Sequence, residues 1–164
     1  MDVHWENIKQ LVGGSILPEL EKELGIRFPA SYVECVMKNN GGDSVRDGIF
    51  SEELDEVLDV RNLLRIDQGK SNIRNVYYRL MNSSRDIPSN FVPFAKDSFG
   101  NFYCFAFKGD AEPEVIFWNH DFDDGDITTV ASSFDDFLNR LLTVEEADEL
   151  ERRLEKEEEG SENA

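Results

Sequence analysis

The sequence predicts an α+β fold: one domain with a twisted, mainly antiparallel sheet flanked by N-terminal, inserted and C-terminal helices. Three observations carry that expectation. Apolar residues recur at helical spacing near both ends of the chain and once in its middle. Between residues 91 and 130, aromatic runs alternate with turn clusters too short for a parallel crossover, so the strands pair antiparallel. A chain of 164 residues, 40% of them apolar and twelve of them phenylalanine, is long enough to bury one core.

Taken in order, Trp5, Ile8, Leu11 and Val12 share a helical face, which predicts a first helix over 2–11, stopped by Gly13-Gly14. Ser15 then reads as a cap, with Pro18 and Glu19 in the first turn, Ile16, Leu17, Leu20 and Leu24 as the stripe and Gly25 at the C-terminal turn. Phe28-Pro29 opens the next helix, with Ser31 as a candidate cap. Tyr32, Val33, Val36 and Met37 follow, and Asn39-Asn40-Gly41-Gly42 ends it. Between 48 and 66 the apolar runs read as short strands. Ile73, Val76, Tyr77, Leu80 and Met81 mark an amphipathic helix over 71–82, with Ser71 as cap and Arg74 and Arg79 outward.

The second half reads as strands at 91–95, 102–107, 115–118 and 127–130. Pro93 suits an edge or an end. Ser132 or Ser133 caps a closing helix striped by Phe134, Phe137, Leu138, Leu141 and Leu142. Thr143 with Glu146 forms a capping-box pair for one more helix through Leu150 and Leu154. Residues 155–164 carry charge without apolar anchors and are expected to be a disordered acidic tail beyond a domain of residues 1–154.

The formal net charge is -18, and it is unevenly placed. Residues 97–139 hold ten acids and one base, and residues 145–164 ten acids and three bases. Residues 61–96 hold seven bases and two acids. The bulk charge argues against direct nucleic-acid binding and against an anionic membrane surface, and it favours a partner with a basic surface. The N-terminus has neither the basic nor the apolar region of a signal peptide, and no apolar run approaches the length of a bilayer span, so a cytoplasmic location is expected.

No residue set demands catalysis. The two histidines, His4 and His120, stand apart, and the apolar neighbours of Cys35 and Cys104 would raise the thiol pKa values and favour buried, inert thiols. The run Asp121 to Asp126 places glycine at position 5 and Ser132 at position 12, which breaks the calcium-loop pattern and leaves only weak divalent-ion binding open. No phosphate loop, dinucleotide fingerprint or nucleophile elbow is present, so neither cofactor nor catalytic metal is expected.

An ordered set of segments carries a family resemblance. Ile16-Leu17-Pro18-Glu19-Leu20-Glu21, Leu24-Gly25, Phe28-Pro29, Tyr32 and Asn40-Gly41-Gly42 come first. Ile87-Pro88, Val92-Pro93-Phe94-Ala95, Asp97 and Gly100-Asn101 follow. Val115 to Asp121 and Ser133-Phe134-Asp135-Asp136-Phe137-Leu138 complete the set. Together, over roughly residues 15–142, they resemble the SUKH superfamily, which includes bacterial immunity proteins that neutralise toxins, often nucleases, and fungal regulators of cell-wall assembly. The resemblance implies a non-catalytic protein-binding module, most simply an immunity protein that occludes the active site of a cognate toxin. The rival is a regulatory scaffold for a housekeeping protein. On the immunity reading, the acids Asp110, Glu112, Glu114, Asp121, Asp123, Asp124 and Asp126 are the candidate contact face for a basic toxin groove. Neither the partner's identity nor the oligomeric state follows from the sequence.

Overall fold

A computed structural model describes residues 3–83, 87–120 and 126–162. The chain runs β1 (Trp5–Glu6), α1 (Leu17–Leu24), α2 (Ala30–Lys38), β2 (Asp43–Ser44), β3 (Gly48–Ser51), β4 (Glu56–Asp59), β5 (Asn62–Leu63) and α3 (Ile73–Met81). It continues through β6 (Phe91–Lys96), β7 (Phe102–Lys108), β8 (Ala111–Asn119), β9 (Asp126–Ala131), α4 (Phe134–Arg140), β10 (Leu141–Leu142) and α5 (Val144–Glu162). A seven-stranded sheet has the order β1-β2-β5-β6-β7-β8-β9, and a three-stranded sheet the order β10-β3-β4. Every strand pair is antiparallel, which is the expected α+β class.

Most helices form where their periodicity places them. Leu17 and Leu20 bury from α1, which ends at Gly25 with φ 66°, a left-handed conformation glycine adopts without a Cβ penalty. Ile73, Val76, Tyr77 and Leu80 bury from α3, but the cap is Asn72 and not Ser71: the Asn72 side chain accepts from the Asn75 N–H at 2.8 Å. Ser31 caps nothing, since α2 begins after Pro29. Ser133 caps α4 by accepting from the Asp136 N–H at 3.0 Å. The capping box forms in both directions, with Thr143 N donating to Glu146 and Glu146 N to the Thr143 hydroxyl.

Tertiary pairing overrides local pattern in four places. The expected helix over 2–11 is instead β1, paired with β2, followed by irregular chain. Asn7 sits at φ 52°, which no right-handed helix accommodates, and Ile8 and Val12 are 47% and 51% exposed. One turn after Trp5 there would have been little apolar surface left to bury, and short helices without such burial are marginal. Pro93 lies inside the sheet and not at an edge. The register with β7 shifts between Pro93 and Ala95, and β5 ends at Leu63 opposite Ala95, so an irregularity absorbs the missing N–H. Strand β8 starts four residues early, because Gly109 at φ 56° closes the hairpin within the expected turn. Leu141 and Leu142, read as helix stripe, form β10 against Ile49 and Gly48.

The core lies where α2 and α4 cover the central strands. Phe94 stacks on Phe105 with centroids 4.3 Å apart, and Tyr32 meets Phe105 edge-on at 5.1 Å and Phe134 at 5.4 Å. Phe137 closes on Phe94 and Tyr103. Such pairs add roughly 0.5–1.5 kcal/mol each beyond the area they bury. Helix α5 packs on β3 and β4 and carries the chain as helix to Glu162, through part of the charged stretch expected to lack structure. Residues 155–160 are all exposed. Among the described residues no helix is long and apolar enough to cross a membrane.

Two outcomes follow. The Tyr32 hydroxyl is fully buried with no hydrogen-bond partner among the described residues, and burial pushes its pKa far above the usual tyrosine range. Tyr32→Phe removes that unsatisfied group and should raise stability in urea titration by about 1 kcal/mol; a loss of that size would show a partner for the hydroxyl. Truncation after Leu154 removes the exposed residues 155–160 and those that follow and should leave Tm within about 2 °C of the full chain, whereas a fall of several degrees, about 1 kcal/mol in a domain of this size, would show that the tail packs.

Candidate functional site

Three surfaces compete for function, and two buried carboxylates shape them. Asp67 follows β5 and has no exposed side-chain surface. Its Oδ2 accepts from the Val12 N–H at 2.8 Å and from Arg65 Nη2 at 3.0 Å. Its Oδ1 accepts from Arg65 Nε at 3.0 Å and Asn40 Nδ2 at 3.0 Å. Asn40 also accepts from the Ile66 N–H at 2.8 Å. Burial alone would raise the Asp67 carboxyl, but these donors and the Arg65 charge outweigh it and hold it well below the usual carboxylate range. Gly41 is required beside this knot: its φ is 63°, and a Cβ there would come within 2.9 Å of Arg65 Cγ.

The second carboxylate, Asp97, organises the β6–β7 turn. Its Oδ1 accepts from the N–H groups of Phe99 at 2.9 Å and Asn101 at 2.8 Å, and its Oδ2 accepts from Asn101 Nδ2 at 2.8 Å. That leaves Asn101 Oδ1 as an acceptor, taken by the His120 N–H at 2.9 Å and by ring Nδ1 at 2.6 Å. The His120 ring lies against Gly100, where an added Cβ would come within 3.2 Å of it. His120 is thus a latch between the turn and the end of β8.

Between the two knots lies a groove of about 630 Å³, whose lining includes Lys9, Arg61, Arg65 and Lys96. Three of its cations, Arg61, Arg65 and Lys96, come from the basic segment 61–96. A second surface is acidic. Helix α5 and β4 bring together Asp55, Glu56, Glu151, Glu155 and Glu158 around Leu154, and an adjoining hollow adds Asp47, Asp59 and Asp148. Sequence reading missed this face because its carboxylates come from segments about ninety residues apart, joined only by the packing of α5 on β4.

Of the seven acids proposed from sequence, four fall among the described residues, and these stand toward the two ends of one strand. Asp110, Glu112 and Glu114 are exposed at the start of β8 and the turn before it. Asp126 pairs with Asn119 at the far end of the same strand, roughly 25 Å away at about 3.3 Å per residue. Asp121, Asp123 and Asp124 lie outside the described residues. The thiols are poor nucleophiles: burial pushes Cys35 up to about 11, against a partial lowering by Asn39, and pushes fully buried Cys104 higher still. Among the described residues no group of three or more His, Cys, Asp or Glu is placed to hold a metal ion.

The polar segments that hold these knots fall within a family match. A family model described as SMI1-KNR4 cell-wall, SUKH_6, matches residues 16–138, about three quarters of the chain. No curated protein matches the sequence.

The knot makes a signed prediction. Because the folded pKa of Asp67 is depressed, its contribution is complete above the unfolded carboxylate value of about 3.9 and is lost as pH falls through the lower folded value. Asp67→Ala should destabilise at neutral pH by about 3 kcal/mol or more, since it leaves Arg65 and Asn40 without their acceptor. Asp67→Asn should flatten the acid limb of stability against pH. An unchanged acid limb would assign that limb to other carboxylates.

Proposed function

The chain belongs to the SMI1-KNR4 cell-wall family, and from that membership we propose that it acts by binding a partner protein and not by catalysis. One observation carries the reading: four polar residues of the segments that carry the family resemblance are consumed inside the fold. Asn40 is spent on the Asp67 knot, and Asp97, Asn101 and His120 are spent on one another. What these knots support is a rigid frame bearing exposed charge, which suits recognition more than turnover.

The finer reading is an immunity protein that neutralises a cognate toxin by occluding its active site. A nuclease-type groove is basic, and the chain offers it Asp110, Glu112 and Glu114 on the β7–β8 hairpin and the carboxylates of α5 and β4. Asp126, which pairs with Asn119 at the other end of β8, and Asp121, Asp123 and Asp124 remain part of the proposed contact set. Rim charges of this kind act chiefly on the rate of encounter. A regulatory scaffold for a housekeeping protein would share the fold without requiring that rate effect.

The test pairs the chain with the toxin encoded beside its gene. Equimolar chain should abolish toxin activity, and the association rate should fall by about tenfold or more from low to physiological ionic strength, while dissociation changes less. Replacing Glu151, Glu155 and Glu158 together by Gln should lower the on-rate without unfolding the domain. Full toxin activity in the presence of excess chain would leave the scaffold reading in its place.

A further inference from the structure

The basic groove is anomalous on a chain with 35 acids and 17 Lys and Arg residues. Most charged groups around it already have hydrogen-bond partners. Arg65 is bidentate on Asp67, Lys9 Nζ is held by the carbonyls of Asn7 and Gly41, Asp43 accepts from the Asn7 amide, and Asp97 is buried in its own turn. Two cations remain. Arg61 and Lys96 are neighbours across the β5–β6 junction, where Arg61 N donates to Lys96 O at 2.9 Å. Neither side chain has an ion-pair or hydrogen-bond partner among the described residues. Acids outnumber bases twofold in this chain, so two adjacent unpaired cations in one hollow, whose lining also holds Asp43 and Asp97, are a recognition feature.

On the turn that follows Lys96 stands Phe99, 69% exposed, the most exposed of the large apolar residues described. It follows Ser98 and precedes Gly100, both of which line the groove. Its backbone is fixed by the Asp97 carboxylate and, through Asn101, by His120. An aromatic ring held on a locked turn costs little ordering entropy on binding and has the character of an interface anchor. The same turn touches the acidic surface: Ser98 N donates to Asp59 Oδ2 at 2.7 Å, and Asp59 lines one of the acidic hollows.

We infer that the groove beside Phe99 seats an acidic segment of the partner protein, with carboxylates on Arg61 and Lys96 and an apolar contact over Phe99. This rests on the reading of the chain as a protein-binding module and adds that the partner is bipolar, basic toward α5 and acidic toward the groove. The bulk negative charge does not forbid it, because screening over about 8 Å at physiological salt leaves the nearest cations to dominate a ligand in contact with them.

The test uses fluorescein-labelled synthetic probes and the full chain: a decapeptide alternating Asp or Glu with Leu, its Lys-Leu counterpart, and a thymidine decanucleotide. The acidic peptide should bind wild type, weaken by about tenfold or more in Arg61→Glu/Lys96→Glu, weaken several-fold in Phe99→Ala, and bind unchanged to Arg79→Glu, a control on α3. If the double reversal fails to fold by circular dichroism, Arg61→Gln/Lys96→Gln carries the same expectation at smaller amplitude. The Lys-Leu peptide should bind without regard to these groove substitutions. Absent binding of the acidic peptide, equal binding by the groove variants, or stronger competition from the oligonucleotide would overturn the inference. Toxin neutralisation that survives the groove variants intact would overturn it while leaving the proposed function standing.

Discussion

The charge of Asp67 is the constraint on which the arrangement of this surface depends. A carboxylate without exposed surface costs several kcal/mol to desolvate unless donors surround it, and here the donors come from separate parts of the chain: Val12 before α1, Asn40 after α2, and Arg65 next to β5. Meeting that one demand holds the irregular N-terminal segment against the sheet edge. It also forces Gly41 close to the Arg65 stem and turns Arg65 inward, away from ligands. Asp97 repeats the solution on the other side of the groove with backbone N–H groups and an asparagine. The cations and the phenylalanine between the two knots are thus presented by backbone that has little freedom to move.

Sequence legibility followed the range of the interactions involved. Helices α1, α3 and α4 were readable because their apolar stripes and glycine or serine ends are local chemistry, and the Thr143–Glu146 box forms as spelled. The strand pattern of the second half was readable for the same reason. The segment before α1 was misread because Trp5, Ile8, Leu11 and Val12 imitate a helical stripe whose only deeply buried member is Trp5. Leu141 and Leu142 were misread because pairing with β3, ninety residues earlier, outcompetes one more helical turn.

The candidate surfaces were harder to read for a geometric reason. Acids close in sequence between 110 and 126 suggest one face, but the length of β8 separates Asp110, Glu112 and Glu114 from Asp126. The acidic face of α5 and β4 and the basic groove both join segments distant in sequence, and neither has a local signature. The basic character of residues 61–96 was visible as composition. What composition does not reveal is that Asp67 neutralises one of those bases while Arg61 and Lys96 are left facing a hollow.

In this chain the buried polar groups of Asn40, Asp67 and Asp97 tie separate segments together, and the proposed binding role requires that these ties hold the charged surface rigid. That account is tested most directly by native-state hydrogen exchange at the amides of Val12, Ile66, Phe99 and Asn101, each of which donates to a side-chain oxygen of Asn40, Asp67 or Asp97. If the knots are the rigid frame, these four amides exchange only through global unfolding, with opening free energies matching that of the strand amides in β7. Exchange near the rate of an unstructured chain at Val12 and Phe99, with β7 still protected, would show the rims of the groove opening locally and would contradict the account.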